Sequence, residues 1–262
     1  LKELKDLELG EGGGSSVITL ADGTKIDVNN MFDVNDKFKF LGAYCRMIIR
    51  KEQVSLVVAG EGGLGKTFEV MSQVKESELK LAEDYIVIKG YSTPRGLYNT
   101  MYDNRKQLLI FDDCDSVLES DVSANLLASA LDSYDERIVS WVKDDSFERE
   151  DARPASFQFE GQIIFITNLQ KLKIPQKILS RANNIDLAMS IKDKIKRMRT
   201  IVANVLPHVS LEKKNEAIDI LEQYAPYCKD FNIRTLIKAV QIMASEEKNE
   251  DKVEMVRFML MN

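Results

Sequence analysis

The chain has 262 residues, 44% of them hydrophobic and 30% charged, with a formal net charge of −6. That balance fits a globular protein with room for a core domain and a smaller companion, and it argues against a strongly basic protein that coats nucleic acid, while leaving room for a local basic patch. Cys45, Cys114 and Cys228 form no CxxC pair and His208 stands alone, so neither a disulfide framework nor a zinc site is signalled. No apolar run approaches the roughly 18–20 residues of a membrane span and no secretory signal is visible, which predicts a reducing, cytoplasmic setting with no membrane contact. The chain begins at Leu1 rather than Met, as a fragment of a longer protein would.

In chain order, residues 10–16 (Gly-Glu-Gly-Gly-Gly-Ser-Ser) have the composition of a flexible linker. Asp22-Gly23, between the alternating runs 17–20 and 24–28, signals a hairpin. From Asp36 to Arg50 the apolar positions Phe40, Leu41, Tyr44, Met47 and Ile48 recur at helical spacing. The middle then alternates: strands at 54–59, 85–88, 108–111, 163–167 and 184–187, and helices at 66–81, 96–104, 122–131 and 175–181. Such alternation predicts a parallel five-stranded sheet covered by helices on both faces. After Ser190 only amphipathic helices are predicted, at 191–205, 211–224, 232–246 and 249–261. The expected division is an N-terminal extension over 1–35, an α/β nucleotide-binding core over 36–189 and a small all-helical domain over 190–262.

Gly60-Glu61-Gly62-Gly63-Leu64-Gly65-Lys66-Thr67 fits GxxxxGK[ST] without a mismatch, between a predicted strand and a helix that opens with Phe68. Glycines let the backbone N–H groups of such a loop turn inward onto phosphate oxygens, and the following helix adds its positive end. Lys66 would reach the β- and γ-phosphates, and the Thr67 hydroxyl would join the shell of Mg²⁺. Leu108 to Asp113 is an apolar strand ending in two carboxylates. Asp112 would hold Mg²⁺, and Asp113 would orient and polarise an attacking water.

The segment Asp112-Asp-Cys-Asp-Ser-Val-Leu118 resembles the Asp-Glu-x-Asp-Ser-Leu element of AAA+ ATPases. Asp113 departs from that pattern, which usually carries Glu; one methylene shorter, it reaches less far, so the resemblance implies ATP binding more firmly than fast turnover. Ile163 to Asn168 resembles the sensor 1 strand, with Asn168 as the sensor. Leu179-Ser-Arg181 resembles the arginine finger that reaches a neighbouring subunit's nucleotide, where a planar, permanently charged guanidinium stabilises developing phosphoryl charge. Phe231 to Leu236 resembles sensor 2, with Arg234 facing the phosphates from a helical lid. The resemblance spans roughly residues 36–250. It implies a homo-oligomeric ring, usually a hexamer, that binds ATP and Mg²⁺ and hydrolyses ATP.

Two segments stand where such rings place substrate loops. Lys89 to Arg95 follows the second strand: Tyr91 could stack on a base or grip a polypeptide, and Lys89 and Arg95 could meet phosphates. Residues 137–142 and 156–160 are strand-like and resemble a pre-sensor-1 β-hairpin, with a charged tip over 143–155 that holds Asp144, Asp145, Glu148, Glu150 and Asp151 against Lys143, Arg149 and Arg153. Its acidic balance weighs against gripping nucleic acid at that tip. The stretch 157–169 with Ser180-Arg181 also resembles ATPases carried by phages and mobile elements. The expected function is an ATPase acting on nucleic acid; a protein remodeller and a non-catalytic, ATP-dependent assembly switch are the alternatives.

Overall fold

The structure, a computed structural model, describes residues 17–19, 22–23, 25–27, 32–132, 136–141, 153–228 and 230–261. The expected linker over 10–16 and most of the 143–155 tip lie outside the described residues. Val17–Thr19 (β1) and Lys25–Asp27 (β2) pair antiparallel across Asp22-Gly23, the expected hairpin.

The central element is a five-stranded parallel sheet. Its strands are Ser55–Ala59 (β3), Tyr85–Lys89 (β4), Leu108–Asp112 (β5), Gln162–Ile166 (β8) and Asn183–Asp186 (β9), in the spatial order β4-β5-β8-β3-β9. Strands β3, β5 and β8 are buried along their whole length. Alternate residues therefore serve opposite faces, both apolar. Val57, Leu109, Phe111, Ile163 and Phe165 pack with Pro94–Asp103 (α3), Asp121–Ala130 (α5) and Gln176–Leu179 (α6). Leu56, Val58, Ile110, Ile164 and Ile166 pack with Val34–Ile49 (α1) and Lys66–Glu76 (α2). The chain is thus α/β, with a parallel sheet flanked by helices.

Helix starts follow local chemistry. The Asp33 carboxylate caps α1 and the Thr93 hydroxyl caps α3, whose first residue is Pro94. Helix α1 therefore opens at Val34, two residues before the expected start of the core. Helix α2 stops at Glu76, five residues before the expected end at Leu81. Ser77 caps it and Glu78 turns into the left-handed region at φ 60°, while Leu79 still packs on the sheet; Leu79 and Leu81 extended the apolar pattern past the true end. The helix expected over 175–181 is likewise shorter, and a four-residue helix, Ser116–Glu119 (α4), follows the acidic motif.

The ribbon before β8 forms as expected. Ile138–Ser140 (β6) pairs antiparallel with Ser156–Gln158 (β7). Phe157 packs edge-on against Tyr98 and Tyr102 of α3, with ring centroids 5.2 and 5.4 Å apart. On the tip side of the ribbon Arg153 makes two hydrogen bonds to Asp103, at 3.1 and 2.7 Å, so that end of the ribbon is fastened to α3.

Beyond Ser190, which caps the next helix in a reciprocal box with Asp193, the chain is helical. Ile191–Ile201 (α7), Leu211–Tyr224 (α8), Ile233–Ala244 (α9) and Asn249–Met261 (α10) enclose their own apolar core. Helix α7 ends at Ile201 and continues as a tighter turn over Val202–Asn204, so the single helix expected to 205 is two pieces. Among the described residues no helix is long and apolar enough to cross a membrane.

Burial makes a prediction about the thiols. Cys45 lies fully buried between α1 and the sheet, and burial pushes its thiol up to about 12; Cys114 is buried and also raised, whereas Cys228 is half-buried. Because the thiolate is the reactive species, a thiol reagent at pH 8 should modify Cys228 readily and reach Cys45 and Cys114 only in denaturant. Equal native rates for Cys45 and Cys228 would contradict this packing.

Candidate functional site

The register of the sheet brings four strand ends abreast. Lys89 pairs with Asp112, Asp112 with Ile166, and Ile166 with Val58. The loops after β3, β4, β5 and β8 consequently converge at one edge. Strand β3 is also where the order reverses, with β9 on one side and the other three strands on the opposite side. The crevice at such a switch point is where open α/β sheets bind ligands.

The glycine-rich loop 60–67 lies there. Gly65 sits at φ 88° as the residue before α2, a left-handed conformation that turns the loop into the helix at little cost for glycine. Gly63 is at φ 75°, and a Cβ on it would stand 2.7 Å from the Asn232 side chain. Leu64 is buried in the core and anchors the loop, while Phe68 at the start of α2 is 73% exposed.

Lys66 is buried, and its Nζ donates to Gly60 O at 2.6 Å, Glu61 O at 2.7 Å and Asn168 Oδ1 at 2.9 Å. Burial lowers its pKa, against the pull of Asp113, Asp115 and Asp112. Asn168 Nδ2 donates to Asp113 Oδ1 at 2.8 Å, so one amide bridges the lysine and the exposed carboxylate. Thr67 Oγ1 donates to Asp112 Oδ1 at 2.7 Å. The other oxygen of buried Asp112 takes the Lys89 ammonium at 2.7 Å, and that bond raises the lysine's pKa. Lys89, expected at a substrate loop, is therefore held against the acidic motif, with its stem still largely exposed.

A cavity of about 770 Å³ opens beside the loop, within the range of small-molecule sites. Gly63 to Thr67, Asp113 and Asn168 form one end. Polar residues of α2, Glu69, Gln73 and Glu76, form one side, and Ile201, Val205, Leu206, Ile233 and Ile237 give the helical bundle's side an apolar lining. Arg234 lines it from the start of α9. Contacts beside the cavity hold the bundle down, among them Ile233 N donating to Gly63 O at 2.9 Å, Lys194 paired with Glu61 at 2.5 Å, and Arg197 lying 3.7 Å from Glu69. Burial raises the Glu69 carboxyl, with Arg197 acting against it. Arg197 also stacks over the Phe38 ring at 3.7 Å.

Gly60 to Phe68, Asp112, Asp113, Asn168 and Arg234 are thus gathered at one place. Arg181 is not among them: it is exposed after α6, its Nη1 donating to Lys177 O at 3.0 Å, and it is absent from the cavity wall. Tyr91 is 78% exposed beside Gly90, whose φ is 82°, and Arg95 is exposed in the first turn of α3. Among the described residues no group of three or more His, Cys, Asp or Glu side chains could by itself hold a metal ion. The sequence left unread the Lys89–Asp112 pair, Asn232 as the residue against Gly63, and Arg197; all three are set by the pairing of distant segments.

The fit at Gly63 is testable. Gly63→Ala adds a strained φ of about 1–2 kcal/mol and a clash with Asn232, the cap of α9. The expected result is a lowered thermal midpoint and faster amide exchange at the start of α9. An unchanged midpoint would show that the loop and the bundle do not abut as described.

No family model matches the chain. The chain is similar to the "uncharacterized 36.7 kDa protein in nrdC-mobD intergenic region" of Enterobacteria phage T4, with 28% identity over 192 residues, 66% of this chain and 59% of the phage protein. The chain therefore spans less than two thirds of that relative's length.

Proposed function

We propose that the chain is an AAA+ type ATP-binding and ATP-hydrolysing module, a P-loop core with a helical lid, that works as a homo-oligomeric ring, a hexamer by analogy. The observation that supports this best is the convergence on one cavity of a buried lysine, a glycine-rich loop, the Asp113 carboxylate and an arginine from a separate helical unit, with Asp112 bonded to Thr67 of that loop. The Lys66 ammonium, already surrounded by oxygen acceptors, is suited to exchange them for phosphate oxygens. The apolar wall of Ile201, Val205 and Ile237 is suited to a base, and Arg234 to the charge of the phosphates.

The residues also fit Mg²⁺, which binds through one or two protein oxygens and otherwise through water and phosphate. Thr67 Oγ1 and Asp112 Oδ1, 2.7 Å apart, are such oxygens. When bound, the ion supplies charge neutralisation of the phosphates. Asp113 is the exposed acid that accepts a proton from water, and Asn168 fixes its orientation. Arg181 is exposed and outside its own cavity wall; in this reading it would act on the nucleotide of a neighbouring subunit.

For the substrate, nucleic acid remains the first reading, through Arg95 and Tyr91. One observation favours a protein remodeller as the second: Lys89 is engaged with Asp112, which leaves the exposed aromatic Tyr91 as the prominent feature of its loop. Steady-state ATP hydrolysis with and without single- and double-stranded DNA tests both. Wild-type turnover should fall by about 10²-fold or more in Lys66→Ala. Stimulation by DNA supports the first reading and indifference to DNA the second. ATP binding without turnover would support an assembly switch instead, consistent with the short Asp113, and absence of binding would sink the proposal.

The Lys89–Asp112 pair makes a separate prediction. A lysine on the metal-binding carboxylate competes with a divalent ion, so Lys89→Met should lower the Mg²⁺ concentration for half-maximal nucleotide binding by about two- to fivefold. A raised requirement would mean that Lys89 assists the metal.

A further inference from the structure

We infer that Asp115 is a positioning residue for the proposed hydrolysis: through the buried hydroxyl of Thr167 it sets where Asn168 stands between Lys66 and Asp113. The inference rests on the ATPase reading above.

Thr167 is 1% exposed, and its Oγ1 donates to Asp115 Oδ1 at 2.5 Å while accepting from Leu169 N at 3.0 Å. Hydroxyl-to-carboxylate bonds of this length are among the shorter and stronger kind. The Thr167 amide is also tied, donating to Val58 O at 3.0 Å. The residues on both sides of Asn168 are therefore fixed, and the amide between them is left to reach Lys66 at 2.9 Å and Asp113 at 2.8 Å.

The turn that delivers Asp115 is built for this contact. Asp113 lies in the left-handed region at φ 54°, and its amide donates to Ile166 O at 3.0 Å, folding the acidic loop over the end of β8. Asp115 precedes α4, where an aspartate ordinarily caps the helix, yet its side chain makes no capping bond. Its carboxylate is committed to Thr167 instead. Loss of that bond leaves a buried hydroxyl without its acceptor and frees the backbone that carries Asn168. The effect belongs on the chemical step, because Asp115 itself does not line the cavity.

The test uses Thr167→Val, which keeps the shape and removes the hydroxyl, with Thr167→Ser as the rescue and Asp115→Ala as the second probe. In Thr167→Val and Asp115→Ala, kcat for ATP should fall about tenfold or more, while affinity for a fluorescent ATP analogue stays within about twofold. Thr167→Ser should retain kcat within about twofold. Independently of turnover, the Asn168 side-chain amide resonance, assigned by its loss in Asn168→Ala, should shift in Thr167→Val and return in Thr167→Ser. Wild-type hydrolysis that Thr167→Val leaves unchanged would overturn the inference alone, as would an unmoved Asn168 resonance. Parallel losses of affinity and kcat would overturn it in favour of a purely structural role. A shifted resonance in a protein that does not hydrolyse ATP would overturn the ATPase reading, and the catalytic part of the inference with it.

Discussion

The Lys66 ammonium is the constraint around which the site is organised. A cation buried at the end of a sheet must find acceptors, and isolated burial costs far more than any fold can carry. Here the acceptors come from its own loop, Gly60 O and Glu61 O, and from the next strand, Asn168 Oδ1. The loop must therefore curl back on its lysine, and β8 must end level with it. The parallel register of β3 with β8 meets the second requirement and the glycines meet the first. Asp113 and Asp115 then attach to the end of β8 through Asn168 and Thr167, so three strand ends form one hydrogen-bonded unit.

The helical bundle depends on the same loop from the other side. The start of α9 rests on Gly63, by the Ile233 amide and by Asn232 packed where no side chain could grow. Lys194 on Glu61 and Arg197 on Glu69 add charge pairs between the bundle and the α/β part. Whatever alters the loop is felt by the bundle directly, which gives the proposed nucleotide site a mechanical connection to the last 70-odd residues of the chain. Lys89 on Asp112 gives a second connection, toward the exposed Tyr91.

Much of this was legible in the sequence because its determinants are local. Strands buried on both faces read as apolar runs, so β3, β5 and β8 stood out, and GxxxxGK[ST] between a strand and a helix placed the loop. Helix α8 was legible residue for residue, bounded by Ser210 and by Pro226. What escaped was set by pairing between distant segments. The partnership of Lys89 with Asp112 exists only because β4 and β5 pair in one particular register. Thr167 with Asp115, and Gly63 with Asn232, arise from three-dimensional approach that no spacing encodes. The end of α2 escaped for a different reason: Leu79 and Leu81 kept the helical period while the backbone at Glu78 had already turned left-handed.

The proposed function stands on one nucleotide being held between the 60–67 loop and the helical bundle. Hydrogen–deuterium exchange of the whole chain with and without ATP·Mg²⁺ addresses it most directly. Binding there should give coordinated protection of the loop and the start of α2 together with residues 197–206 and the start of α9, reduced in parallel by Lys66→Ala. Protection confined to one of the two sides, or none at all, would contradict it.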